Sequence, residues 1–111
     1  MHWNILESEL QLQELIDKSL DQPSAIFKHS TRCSISVMVK NRLERTAIAT
    51  NIAFYYIDLL RFRELSNKIA EKFQVYHESP QLLLIYKGEC IYEESHNGID
   101  MDELIQAIPT S

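Results

Sequence analysis

Apolar residues recur along this chain with two alternating periods, about 3.6 residues in some stretches and short solid runs in others. Between Glu7 and Leu20, the residues Leu10, Leu12, Leu15, Ile16 and Leu20 stand among Glu, Gln and Lys, which predicts an amphipathic helix ending before Pro23. Ser24 to His29 is an apolar run centred on Ile26 and Phe27, closed by the polar cluster His29, Ser30, Thr31 and Arg32, the pattern of a buried strand entering a loop. From Cys33 onward, Ile35, Met38, Val39, Leu43 and Ala47 return at three- and four-residue steps. Lys40, Arg42, Glu44 and Arg45 take the other positions, so a second helix is expected with Cys33 at its N-terminus. Phe54 to Leu60 reads as a buried strand, and Phe62, Leu65, Ile69 and Phe73 follow at helical spacing. After Ser79-Pro80, the runs Leu82 to Tyr86 and Cys90 to Glu94 flank Lys87-Gly88-Glu89 and predict an antiparallel hairpin. A last helix is expected from Asp100, with Glu103 three residues on as in a capping box and Leu104, Ile105 and Ile108 on its apolar face, ending near Pro109.

The predicted order is therefore α-β-α-β-α-β-β-α, an α/β fold with a mixed four-stranded sheet, right-handed crossovers and helices on its faces. No linker or internal repeat divides the chain, so residues 1–111 are read as a single domain. Hydrophobic residues make up 45% and charged residues 24%, which fits a packed core and not a disordered segment. The formal charge of −5 argues against nucleic acid as a partner, because phosphate binding needs a concentrated positive surface. No apolar run approaches the roughly 20 residues of a membrane span, and MHWNILESEL is too acidic and polar for a signal peptide. A cytoplasmic protein with no membrane partner is the expectation.

Only two cysteines, Cys33 and Cys90, are present, and they lie too far apart in sequence for a zinc knuckle or a CxxC pair. Cys33 follows a strand and opens a helix, where unpaired N–H groups and the positive end of the helix dipole favour thiolate over thiol. Lys28, His29 and Arg32 are close enough in sequence to add to that effect if they face the sulfur. Taken alone, Cys33 reads either as a small buried residue or as a reactive thiol, and its strand-loop-helix position favours the second. Ser36 reads as a solvent-exposed residue of the first helical turn, or as a hydroxyl that donates to the sulfur. Cys90, at the start of a hairpin strand, reads as a structural thiol unless its Cα lies within roughly 7 Å of that of Cys33. Asp58 reads as a strand-end acid capping the following turn, with a buried proton-transfer carboxylate as the alternative. His29, His77 and His96 show no metal-ligand spacing, and the aromatic residues Phe54, Tyr55, Tyr56 and Tyr76 read as sheet and core, so no metal and no bound cofactor are expected.

The segment Phe27-Lys28-His29-Ser30-Thr31-Arg32-Cys33-Ser34-Ile35-Ser36 resembles the active-site segment of the monothiol bacilliredoxin family, the YtxJ-like branch of the thioredoxin superfamily. Val75-Tyr76-His77-Glu78-Ser79-Pro80-Gln81 and an N-terminal Trp followed by a helix are similar to the same family, so the resemblance covers essentially the whole chain. It implies a thioredoxin-like fold and a thiol–disulfide oxidoreductase. In that family's chemistry Cys33 would attack the mixed disulfide between a protein and bacillithiol, take the bacillithiol as an adduct, and be regenerated by another thiol. Bacillithiol is then a co-substrate; the partners are S-bacillithiolated proteins, with bacillithiol or another redoxin as reductant. Thr31, Arg32, Ser34 and Ser36 would support the site. Ser36 stands where a dithiol thioredoxin has its second cysteine, so an external thiol must resolve the adduct. The family usually has Pro after the cysteine; Ser34 here supplies an N–H and more backbone freedom, which bears on redox potential and not on fold. By the same resemblance Pro80 is cis, and the Ser79 backbone before it contacts substrate. Two other functions share this framework: a redox-inactive thioredoxin-like adaptor, and a stress sensor that accepts a cap on Cys33 without turnover.

Overall fold

The computed structural model describes residues 2–46 and 51–109. Its strands are β1 (Trp3–Ile5), β2 (Ser24–His29), β3 (Ala53–Asp58), β4 (Gln81–Tyr86) and β5 (Glu89–Ser95). Its helices are α1 (Glu9–Lys18), α2 (Ser34–Thr46), α3 (Arg63–Phe73) and α4 (Met101–Gln106), with a 3₁₀ turn at His96–Gly98 before the last. The strands form one sheet in the order β1-β3-β2-β4-β5, parallel at β1/β3 and β2/β3 and antiparallel at β2/β4 and β4/β5. The sheet is thus mixed and α/β, as expected, but it has five strands and not four. The additional strand, β1, pairs Trp3 with Phe54 and Ile5 with Tyr56, and Leu6 extends the pairing by donating its N–H to the Tyr56 carbonyl at 2.9 Å. Three residues are too short to show a period of two.

Side-chain alternation along β2 decides what each face of the sheet carries. Ala25 and Phe27 join Phe54, Leu82 and Leu84 against Val39 and Leu43 of α2 and Met101 and Leu104 of α4. Ile26 points the other way, with Ile57, Leu83 and Ile85, against Leu12 and Leu15 of α1 and Leu65 and Ile69 of α3. Every residue of β2 is buried, because it lies in the middle of the sheet with helices on both faces.

Local signals explain the boundaries. Ser8 caps α1 by accepting from the Gln11 N–H, so the helix starts at Glu9, two residues inside the span read from apolar spacing, and Leu10 and Leu20 are exposed. Lys87 and Gly88 form the two-residue hairpin turn with φ of 53° and 78°, the left-handed pair that matches strand twist. Asp100 caps α4 through the Asp102 N–H. In α2 the inward residues are Ser36, Val39 and Leu43, while Ile35 and Met38, expected on the apolar face, are exposed. Ala47 lies outside the described residues.

Candidate functional site

Strand β2 ends at His29, and the chain turns through Ser30, Thr31 and Arg32 into α2. The Cys33 N–H donates to the Ser30 carbonyl at 3.2 Å, and the Cys33 carbonyl accepts from the Val37 N–H at 3.0 Å, the first bond of the helix. Cys33 is therefore the N-cap residue of a 13-residue helix, with the amides of the first turn and the positive end of the helix dipole at its position. Its thiol is free and partly exposed, flanked by the exposed residues Thr31, Arg32 and Ser34.

Ser36 corrects one expectation. It is fully buried, not solvent-facing, because its hydroxyl accepts from the Ser30 N–H at 3.1 Å and bonds His29 Nδ1 at 2.8 Å. Burial, and then the nearby Lys40 charge, push the His29 pKa below its usual range, against the opposing pull of Asp58 and Glu44. The imidazole is thus neutral near pH 7, and its Nδ1 shares a hydrogen bond with the Ser36 hydroxyl. Through these two bonds Ser36 clamps the loop before Cys33 to the first turn of α2. His29 in turn is held by a stacked Phe27 ring at 5.7 Å and an edge-on Tyr56 ring at 6.2 Å.

The Ser79–Pro80 peptide bond is cis, and the Pro80 carbonyl accepts from the His96 N–H at 2.9 Å. Ser79 and Ser30 line one cavity of about 190 Å³ together with Leu59, Leu60, Arg63 and His77. Hence the two segments singled out in the sequence meet at the end of the sheet where β2 and β3 terminate, the usual ligand end of an open α/β sheet.

By sequence Lys28 is a possible neighbour of the sulfur. Alternation instead turns it to the opposite face from His29, beside Ile26, where it is fully buried. Its ammonium donates to the Ser66 carbonyl at 3.2 Å and to His77 Nδ1 at 3.3 Å. Desolvation lowers its pKa to about 8, opposed by the Glu93 charge. The legible signal was a lysine inside an otherwise apolar strand, flanked by Phe27 and His29.

Asp58 behaves as a strand-end acid, accepting from the Leu60 N–H at 3.0 Å. Cys90 sits at the far end of the sheet. It pairs with Ile85, which pairs with Ser24 at the start of β2, whereas Cys33 lies beyond the end of that strand. The length of β2 alone is on the order of 16 Å, well outside disulfide reach. Cys90 Sγ bonds the Tyr92 carbonyl at 3.2 Å, and burial raises its pKa. Cys33 consequently has no resolving partner within the chain. Among the described residues no three His, Cys, Asp or Glu side chains converge as metal ligands, and no helix is long and apolar enough to cross a membrane.

The sequence profile of the family described as "Monothiol bacilliredoxin BrxC" matches residues 4–104. A solved structure described as a candidate oxidoreductase with a thioredoxin fold is 30% identical, with TM-score 0.84 over 95% of this chain and 92% of its own. Thioredoxin from Trypanosoma brucei brucei superposes with TM-score 0.76 at 14% identity, over 96% of this chain and 87% of its own. The Malassezia sympodialis thioredoxin gives 0.73 at 15% identity over the same shares, 96% and 87%. These last two establish the fold. Fold, matched residues and the exposed thiol at the α2 N-cap agree, and the chain belongs to the monothiol bacilliredoxin family of thioredoxin-fold thiol redox proteins.

Proposed function

We propose that this protein removes bacillithiol from S-bacillithiolated proteins by a monothiol route with Cys33 as nucleophile. The observation that carries the reading is the placement of a partly exposed thiol at the N-cap of α2, with Cys90 at the far end of the sheet and a serine at the resolving position. Cys33 thiolate attacks the bacillithiol sulfur of the mixed disulfide. The bond between target and bacillithiol breaks, a Cys33–bacillithiol disulfide forms, and the target leaves as a thiolate that takes up a proton. A second thiol, bacillithiol or a redoxin, then attacks the adduct at the bacillithiol sulfur, becomes disulfide-linked to it, and returns Cys33 as thiolate. Ser79, with its backbone beside the cis bond, pairs with the extended target segment. Ile35, Leu60 and Tyr76, exposed on the elements around the site, offer the target apolar contact.

The test is decapping of a single-cysteine protein carrying bacillithiol, followed by intact mass. The parent and Cys90→Ser should regenerate the free thiol at similar rates, while Cys33→Ser should not act. Equal decapping by Cys33→Ser would refute the nucleophile. Cap acceptance by Cys33 without release to added bacillithiol or a redoxin would instead identify a sensor.

A further inference from the structure

The cavity between Ser30 and Ser79 carries cationic and donor groups that the exchange chemistry does not use. Arg63, the first residue of α3, lines it, and α3 begins with no side-chain cap on its first amides. Arg63 makes no ion pair among the described residues. His77 lines the same cavity. Lys28, whose ammonium can only donate, and the Ser66 hydroxyl at 3.3 Å both meet Nδ1 of that ring. Burial, and then the charges of Lys28 and Arg63, lower the His77 pKa, so the ring is neutral. With Nδ1 occupied as acceptor, the proton sits on Nε2, leaving that N–H as the ring's remaining donor. Asp58 accepts from the Leu60 N–H, and Glu78, 3.8 Å from His96, pulls the His77 pKa the other way.

We infer that this cavity receives a carboxylate of the small thiol in the disulfide substrate, held by Arg63 and the Nε2–H of His77, with Lys28 as the positioning residue that fixes the tautomer. The inference rests on the reading of Cys33 as exchange nucleophile and adds a selectivity to it. Ser30, whose carbonyl takes the Cys33 N–H, forms part of the wall, which puts the cavity beside the turn that carries Cys33. A guanidinium–carboxylate contact is the strong, directional kind. The preferred cap is then a carboxylate-bearing thiol, the class to which bacillithiol and glutathione belong and cysteamine does not.

Two ratios test it. One target protein is capped with 3-mercaptopropionate or with 3-mercaptopropanol, and decapping of the two is compared; separately, Cys33 is alkylated with iodoacetate and with iodoacetamide. In Arg63→Gln the acid-to-neutral ratio should fall by about fivefold to tenfold in the first assay, and in the same direction in the second. Histidine ¹⁵N shifts should show His77 protonated on Nε2 in the parent and lose that bias in Lys28→Met. Ratios in Arg63→Gln equal to those of the parent would overturn the inference, including the case in which the acidic group recognised belongs to the target protein and not to the cap. Loss of both decapping reactions in the parent, with the alkylation ratio still falling in Arg63→Gln, would count against the decapping function and leave the anion site standing.

Discussion

At the scale of single residues, the site depends on a buried hydroxyl that contacts no substrate. Ser36 ties the Ser30 N–H and His29 to the turn bearing Cys33. Ser36→Ala leaves the half-buried Ser30 N–H and a buried ring nitrogen unpaired, and should cost about 1–3 kcal/mol by denaturant unfolding. The two thiols should separate equally cleanly. Near pH 7, iodoacetamide should modify partly exposed Cys33 well before Cys90, whose thiol is disfavoured as thiolate by burial; peptide mapping after brief exposure reads this directly. Cys33 and the Ser79–Pro80 turn were legible in the sequence, since a strand-loop-helix cysteine and an X–Pro before an apolar run are local patterns. The burial of Ser36 is not legible there, because a serine in a first turn looks the same whether its hydroxyl meets water or a histidine. The sequence leaves open whether Lys28 faces the sulfur, because which face it takes is visible only once the strand is placed between two layers.

Among the elements, α2 turns a hydroxyl as well as apolar side chains toward the core. Ser36, Val39 and Leu43 face the core, so Ile35 and Met38 are left outside. Leu43→Ala should therefore cost about 2–5 kcal/mol, whereas Met38→Ala should shift stability by less than about 0.5 kcal/mol, both read from denaturation midpoints. Apolar spacing alone predicted the helix but assigned Met38 to the wrong side. It also ran α1 past its cap at Ser8, because capping is decided by a hydroxyl meeting an N–H and not by hydropathy. Strand β1 left no periodic trace, and its place comes from backbone pairing with β3 and from Trp3, which meets Phe27, Phe54 and Tyr56 at centroid distances of 5.8–6.0 Å.

For the whole molecule, buried titratable groups give stability a pH dependence of definite sign. Lys28 falls from 10.5 to about 8 on folding, so between those values the unfolded chain holds a proton that the folded chain has released. Stability conferred by this site therefore rises with pH across that window. Relative to Lys28→Met, the parent should gain about 3 kcal/mol between about pH 7 and 11, measured by denaturant unfolding of both proteins. On the acid side, burial first, then neighbouring positive charge, keep His29 and His77 neutral in the fold. The unfolded chain takes up those protons first, so stability should decline as pH falls below about 6.5, less steeply in His29→Gln.

The central claim is that Cys33 exchanges disulfides without a partner thiol in its own chain, and the fate of the cap tests it most directly. Parent protein is mixed with an excess of S-bacillithiolated target and no other thiol, quenched by acid, and mapped by mass spectrometry. The account predicts one bacillithiol per chain, on Cys33, with Cys90 still reduced. A Cys33–Cys90 disulfide with bacillithiol released, or the cap found on Cys90, would contradict it.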